Sequence, residues 1–283
     1  MTDGQGGSWY GIGAGLAEVL SREGIDVSVE IGGGMSNIVA VSRGDSQIGM
    51  TNGFAVPMAA KGEEPFTEPT GGVTALGVFM LSIIQVPVLE SSGITSYEEL
   101  RGQDTCLLPL SASSTIAFQK VLAGYDMTEE DTRLSRGNLG YCVDQMKDRK
   151  VVATSGATAM PVGSFSELSA SVPVKFLSVS DSAFEKIVAE NGAFVRVEMP
   201  AGVYRGMEEP VPTLGTQALL IAGDALSEQE GYAIVKALHT HIEDVRKIHS
   251  GMADLTVESL SSVAGLELHP GAQRYFREIG VIQ

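Results

Sequence analysis

In three places a short run of glycine or hydroxyl residues opens a helical pattern: Gly6-Gly7-Ser8-Trp9-Tyr10-Gly11, Gly32-Gly33-Gly34-Met35-Ser36-Asn37 and Ser111-Ala112-Ser113-Ser114-Thr115. Few folds use such turns repeatedly. A helix N-terminus carries N–H groups without intrahelical partners and a partial positive charge. Glycine lets backbone approach a ligand, and hydroxyls add donors. In open α/β sheets, ligands sit beyond the carboxyl ends of strands, at turns of this kind. Three of them in one chain point to a polar ligand gripped by backbone and hydroxyl groups.

The remaining periodicity supports an α/β protein. Helical spacing marks Ile12–Glu23 (stopped by Gly24), Ser36–Ser42, Val56–Lys61, Ser96–Leu100, Ser111–Leu122, Leu139–Lys147, Ser182–Glu190, a single long helix over Ser227–Ile248, and Pro270–Ile279. Ser227 and Glu230 form a capping-box pattern. Strands are expected at Val27–Ile31, Gln47–Met50, Val73–Glu90 (one long strand or a pair broken near Pro87), Thr105–Leu108, Val151–Thr154, Val174–Ser178 and Thr213–Ala222. Alternation of this kind predicts mostly parallel sheets. The uncharged stretch Pro69–Leu89 contains Gly71, Gly72, Gly77, Gln85 and Pro87. Its apolar part falls short of the ~20 residues of a membrane span, so it reads as a buried strand.

Length and charge narrow the function. A chain of 283 residues is long enough for two domains with ample core. Its formal charge of -16 opposes a nucleic-acid partner, because phosphate binding needs a basic surface. It also disfavours an anionic membrane surface, and it leaves an anionic ligand dependent on local donors. Cys106 and Cys142 can pair in an oxidising compartment or remain two buried thiols. Met1 leads straight into the polar run Thr2–Ser8, so no secretory signal is visible.

Catalytic and cofactor patterns are sparse. Gly11-x-Gly13 begins a dinucleotide fingerprint, but Leu16 occupies the third glycine position. No GxSxG elbow, CxxC pair or HExxH motif occurs. His239 and His241 are two apart and face different sides of a helix, against shared metal ligation, and His249 and His269 read as helix-surface or core residues. Arg43-Gly44-Asp45 reads as a glycine helix stop, and Glu129-Glu130-Asp131 after Thr128 as a capped first turn. No catalytic residue, cofactor or metal is expected.

The same turns carry a family resemblance that spans nearly the whole chain. Gly7-Ser8-Trp9-Tyr10-Gly11 resembles a GTYYP-like turn; Gly33 to Asn37 with Gly44 to Met50 resembles a GG-plus-Asn helix start and its following stretch. Ser92 to Gly102 (SGITSYEELRG), Ala112 to Thr115, Pro200 to Gly206, Val211 to Leu214 (VPTL) and Leu268 to Val281 (LHPGAQRYFREIGV) follow in order. Together they resemble the TAXI family of solute receptors that serve TRAP transporters.

The resemblance implies a type II periplasmic-binding-protein fold, with two α/β lobes joined by two crossing hinge strands. Residues 1–88 with 208–283 would form lobe one and 89–207 lobe two, with crossings near Val86–Glu90 and Met199–Val211. It further implies a monomeric periplasmic receptor without enzymatic activity. Such a receptor closes on a small carboxylate, such as glutamate, another amino acid or a dicarboxylate, and delivers it to TRAP membrane subunits. A sensory or regulatory ligand-binding domain of the same fold is the alternative. Candidate ligand residues are Trp9, Tyr10, Gly34, Met35, Asn37, Thr51 and Asn52 in lobe one. In lobe two they are Ser113, Ser114, Thr115, Gly156, Thr158 and Tyr204, with Arg136 and Arg205 as cations able to pair with a carboxylate. Trp9 stands where a tyrosine is common, Gly11 replaces a proline, and Ser111 to Ser114 replace glycines. The strand that relatives place before the first turn is nearly missing.

Overall fold

The computed structural model describes residues 1–2 and 8–283. They form two compact units, Met1–Leu81 with Gln217–Gln283, and Ser82–Thr216. The chain passes between them inside the stretches Val73–Gln85 and Val211–Gly223.

In the first unit, α1 (Ser8–Ser21), α2 (Gly34–Arg43), β1 (Ile48–Asn52), α3 (Ala55–Lys61) and the start of β2 (Val73–Gln85) follow in order. The segment read as a strand over 27–31 carries no ladder; the carbonyl of Glu30 accepts from the N–H and hydroxyl of Thr2. Met1 in turn bonds β1, its carbonyl accepting from Met50 N–H and its ammonium donating to the Ile48 carbonyl. Arg43-Gly44-Asp45 is a helix stop, with Gly44 at φ 76° closing α2.

In the second unit the end of β2 is followed by β3 (Pro87–Leu89), β4 (Asp104–Leu107), α4 (Ser113–Gly124), β5 (Arg133–Arg136), α5 (Leu139–Lys147) and β6 (Gly156–Thr158). Then come α6 (Gly163–Ser171), β7 (Val174–Phe176), α7 (Asp181–Glu190), β8 (Phe194–Met199) and the start of β9 (Val211–Gly223). Residues 152–154 bridge β3 and β4: Leu89 N–H donates to Val152, Val152 N–H to Asp104 and Cys106 N–H to Ala153. They make isolated bridges rather than a named strand. The helix expected at Ser96–Leu100 is a 3-10 turn at Glu98–Leu100. The Glu99 carboxylate, not a Ser96 cap, accepts from the N–H groups before it. The acidic run Glu129–Asp131 is a capped 3-10 turn after Thr128.

The expectation of mostly parallel sheets is corrected. Among the described residues the β1–β9, β2–β6, β3–β7 and β8–β9 ladders are antiparallel and β4–β5 is parallel. The long returning strand β9 imposes this, because β1 and β8 both pair along it in the opposite sense. The Pro69–Leu89 stretch is strand, and no helix among the described residues is long and apolar enough to cross a membrane.

The C-terminal part returns to the first unit. The single helix expected over Ser227–Ile248 is broken at His241 (φ -107°, ψ 30°) into α8 (Glu228–Thr240) and α9 (Ile242–Ile248). The Ser227–Glu230 capping box is present. After α10 (Val257–Ser261), α11 (Pro270–Glu278) packs on α8. His269 caps α11, its Nδ1 accepting from Gly271 N–H, with Pro270 opening the helix. A Cβ at Gly271 would lie 2.1 Å from the Glu228 carbonyl oxygen and 2.3 Å from Tyr232 N, both backbone. Gly271→Ala is therefore expected to prise α11 from α8 and cost about 2 kcal/mol. Urea unfolding checks this, and an unchanged midpoint would mean the helices separate freely.

The two cysteines form a disulfide linking β4 to α5. The sequence left pairing and free thiols open; the fold brings the two buried side chains together.

Candidate ligand-binding site

In the first unit the end of β1 lies against the start of α2. The Thr51 hydroxyl donates to the Gly34 carbonyl at 2.7 Å. Asn37 reaches across the turn: its side-chain NH2 donates to the Thr2 and Met50 carbonyls, and its oxygen accepts from Gly33 N–H. Both residues are fully buried. Their polar atoms hold the Gly32–Gly34 turn against β1, which makes them positioning residues. Asn52 differs. Its side chain is fully buried, and neither amide atom makes a hydrogen bond. A buried unpaired polar group costs roughly 1–3 kcal/mol, so such a group points to a role that stability does not explain.

The remaining first-unit candidates divide. Trp9 is in the first turn of α1, 5% exposed, with its ring edge-to-face on Phe79 at 5.8 Å. It packs in the core beneath the helix start. Tyr10 is half-buried, while Gly34 and Met35 are buried in the first turn of α2. Of the first glycine-rich turn, Gly6 and Gly7 lie outside the described residues.

The second unit repeats the arrangement at α4. The N-cap is Ala112, which offers no side-chain cap, so the first N–H groups of the helix are left to other partners. The Ser114 hydroxyl accepts from Ala157 N–H at 3.0 Å, tying the helix start to β6. Around that link, the hydroxyls of Ser113, Thr154 and Ser155 are buried and make no hydrogen bond. Thr154 and Ser155 are 1% and 0% exposed. Sequence reasoning missed both, although Thr154-Ser155-Gly156 after apolar Val151–Ala153 is a further strand-to-hydroxyl turn.

The other second-unit candidates bond or pack against groups of their own unit. Thr115 is fully buried, and its hydroxyl donates to the Leu108 carbonyl at 2.8 Å. Gly156 faces the Phe165 ring, which a Cβ would approach to 3.1 Å. The Thr158 carbonyl accepts from the Gln85 side chain. Tyr204 is 2% exposed, stacked on Phe176 at 4.7 Å. Its hydroxyl accepts from Val162 N–H at 2.7 Å and donates to Gln85 Oε1. Burial pushes its phenol up to about 12, so it remains a donor at neutral pH.

Neither arginine is free at the α4 start. Arg136 grips both oxygens of Glu129 at 2.7 Å and donates to the Leu108 carbonyl, the acceptor that Thr115 also uses. It braces the turn that opens α4. Arg205 is exposed and donates to the Ala170 carbonyl near the end of α6.

The histidines are occupied structurally: His239 bonds the Tyr275 hydroxyl, His241 pairs with Glu23, and His249 and His269 accept backbone N–H groups. No cluster of three or more potential metal ligands occurs among the described residues.

Two solved structures share this architecture. A protein of Bordetella bronchiseptica RB50 superposes with a TM-score of 0.53 at 16% identity, covering 97% of this chain and 86% of the other. A candidate L-cystine ABC transporter from Listeria monocytogenes gives 0.54 at 13% identity, covering 90% and 91%. A third, the periplasmic aliphatic sulphonate binding protein SsuA from Escherichia coli, gives 0.48 at 14% identity over 88% of this chain and 77% of that one. The fold is the two-lobed α/β fold of periplasmic substrate-binding proteins. The model of the NMT1-like family matches residues 1–280, and the chain therefore belongs to the NMT1-like family.

Proposed function

We propose that this protein is an extracytoplasmic solute receptor, not an enzyme, that captures a small polar molecule and hands it to a membrane transporter. The observation that carries the reading is the set of buried, unbonded polar atoms beside helix starts: Asn52 next to α2, and Ser113, Thr154 and Ser155 next to α4. A fold does not keep such groups for stability, and a ligand's polar groups would satisfy them. The Cys106–Cys142 disulfide suits an oxidising compartment. The ligand is a small carboxylate or amino acid. The ordered motifs from Ser92 to Val281 favour a TRAP-type membrane partner and a monomeric receptor. The Listeria structure's description favours an ABC-type partner instead.

A thermal-shift screen of amino acids, monocarboxylates and dicarboxylates on protein refolded from denaturant tests the receptor reading. Binding at 100-fold above Kd should stabilise the folded form by about 2.7 kcal/mol. No shift with any compound would contradict it. A permease encoded beside the gene, and uptake that needs both proteins, decides the transporter class; a neighbouring signalling gene instead would support a sensory role.

A further inference from the structure

Resting on that receptor reading, we infer that the protein selects ligands with at most one net negative charge and discriminates against dianions. The groups left open at the helix starts are neutral: three hydroxyls at α4 and one amide at β1. Helix N-termini hold a single carboxylate well through N–H groups. The second carboxylate of a dianion carries no ammonium beside it and needs a cation from the protein, and most cations of the unit that holds α4 are committed elsewhere. Every lysine and arginine of Ser82–Thr216 other than Arg149 and Arg205 is in an ion pair. Arg149 follows the C-terminal end of α5, the end opposite the turn that leaves β5. Arg205 is bonded to the Ala170 carbonyl in the last turn of α6. Arg136, which donates to the Leu108 carbonyl beside the α4 turn, is neutralised by Glu129.

In the first unit, Arg43 and Lys61 lie in the last turns of α2 and α3 and pair with Glu68 and Glu63. Lys236, without an ion pair among the described residues, lies over the Tyr232 ring on α8, in a surface cleft of about 380 Å³ with Glu23 and Arg274. The overall charge of -16 adds a further bias against a second negative charge.

Calorimetry with matched pairs tests this: succinate against succinamate, glutarate against glutaramate, and glutamate against glutamine. In the succinate and glutarate pairs, where either partner binds measurably, the dianion is expected to bind at least 10-fold more weakly than its monoamide. Glutamate, with one net negative charge, stands within the accepted class. A dianion binding as tightly as its monoamide would overturn the charge selection and leave the receptor reading standing. Silence from all six compounds, with no hit in the wider thermal-shift panel, would overturn the receptor reading itself. If the tightest hit in that panel is a dianion, the charge selection falls as well.

Discussion

Replacing Cys106 and Cys142 together by alanine is expected to lower the stability of the Ser82–Thr216 unit by about 4 kcal/mol. The bridge joins residues 36 apart, and a closed loop of that length removes much of the unfolded chain's freedom. Both sulfurs are fully buried between β4 and α5, so two alanines add a small loss of packing. Urea unfolding followed by the fluorescence of a reporter in this unit measures the change. Alkylation of the native and reduced protein should show both thiols masked until reduction. A loss below about 1 kcal/mol would mean the unfolded chain is already constrained in this region. The bridge holds the strand that precedes the α4 turn, so its removal should also loosen that turn.

Tyr204→Phe is expected to cost about 3 kcal/mol while leaving ligand affinity of the folded protein unchanged. The phenol oxygen satisfies two buried groups at once, Val162 N–H and Gln85 Oε1. Each buried group left unsatisfied costs about 1–3 kcal/mol. The ring remains stacked on Phe176, so little packing energy is lost. Denaturant midpoints give the stability change, and calorimetry with any hit gives the affinity. The opposite pattern, normal stability with affinity reduced more than 10-fold, would restore Tyr204 to the ligand-contact role that the sequence assigned it.

Much of the fold was legible because local chemistry and tertiary packing agree. The stretch Leu268–Val281 shows this well: His269 caps, Pro270 opens the helix, Gly271 lets α11 approach α8, and Tyr275 and Phe276 fill the core. Leu139–Lys147 is a helix over the expected residues, capped by Asn138. What failed depended on partners distant in sequence. Strand direction was misread because β9 collects β1 and β8 along its length, which no local period announces. The pairing of residues 152–154 with two different strands is likewise set by tertiary contacts. Helix α6, Gly163–Ser171, lacks a polar cap and strong helix formers in its first turn, so its sequence reads as loop.

The helix starts of the candidate site were legible in the sequence; the partners of the side chains there were not. Glycine and hydroxyl runs located the helix starts, yet most of the named residues there turn out to brace the turns: Asn37, Thr51, Thr115 and Arg136 spend their polar atoms on the protein's own groups. Residue type cannot separate a bonded hydroxyl from an unbonded one. Asn52 and Ser113 were named on the same grounds as the bracing residues, and only the geometry sets them apart. Thr154 escaped because it reads as the end of a strand, and Ser155 because it follows that strand.

Asn52 therefore provides the most direct test. Asn52→Leu keeps the side-chain size and removes two buried atoms that have no partner within the protein. The account predicts a protein at least as stable as the parent that binds the best ligand from the screen at least 10-fold more weakly in calorimetry. Unchanged affinity in the folded variant would contradict it, because the unbonded amide would then contribute nothing to capture.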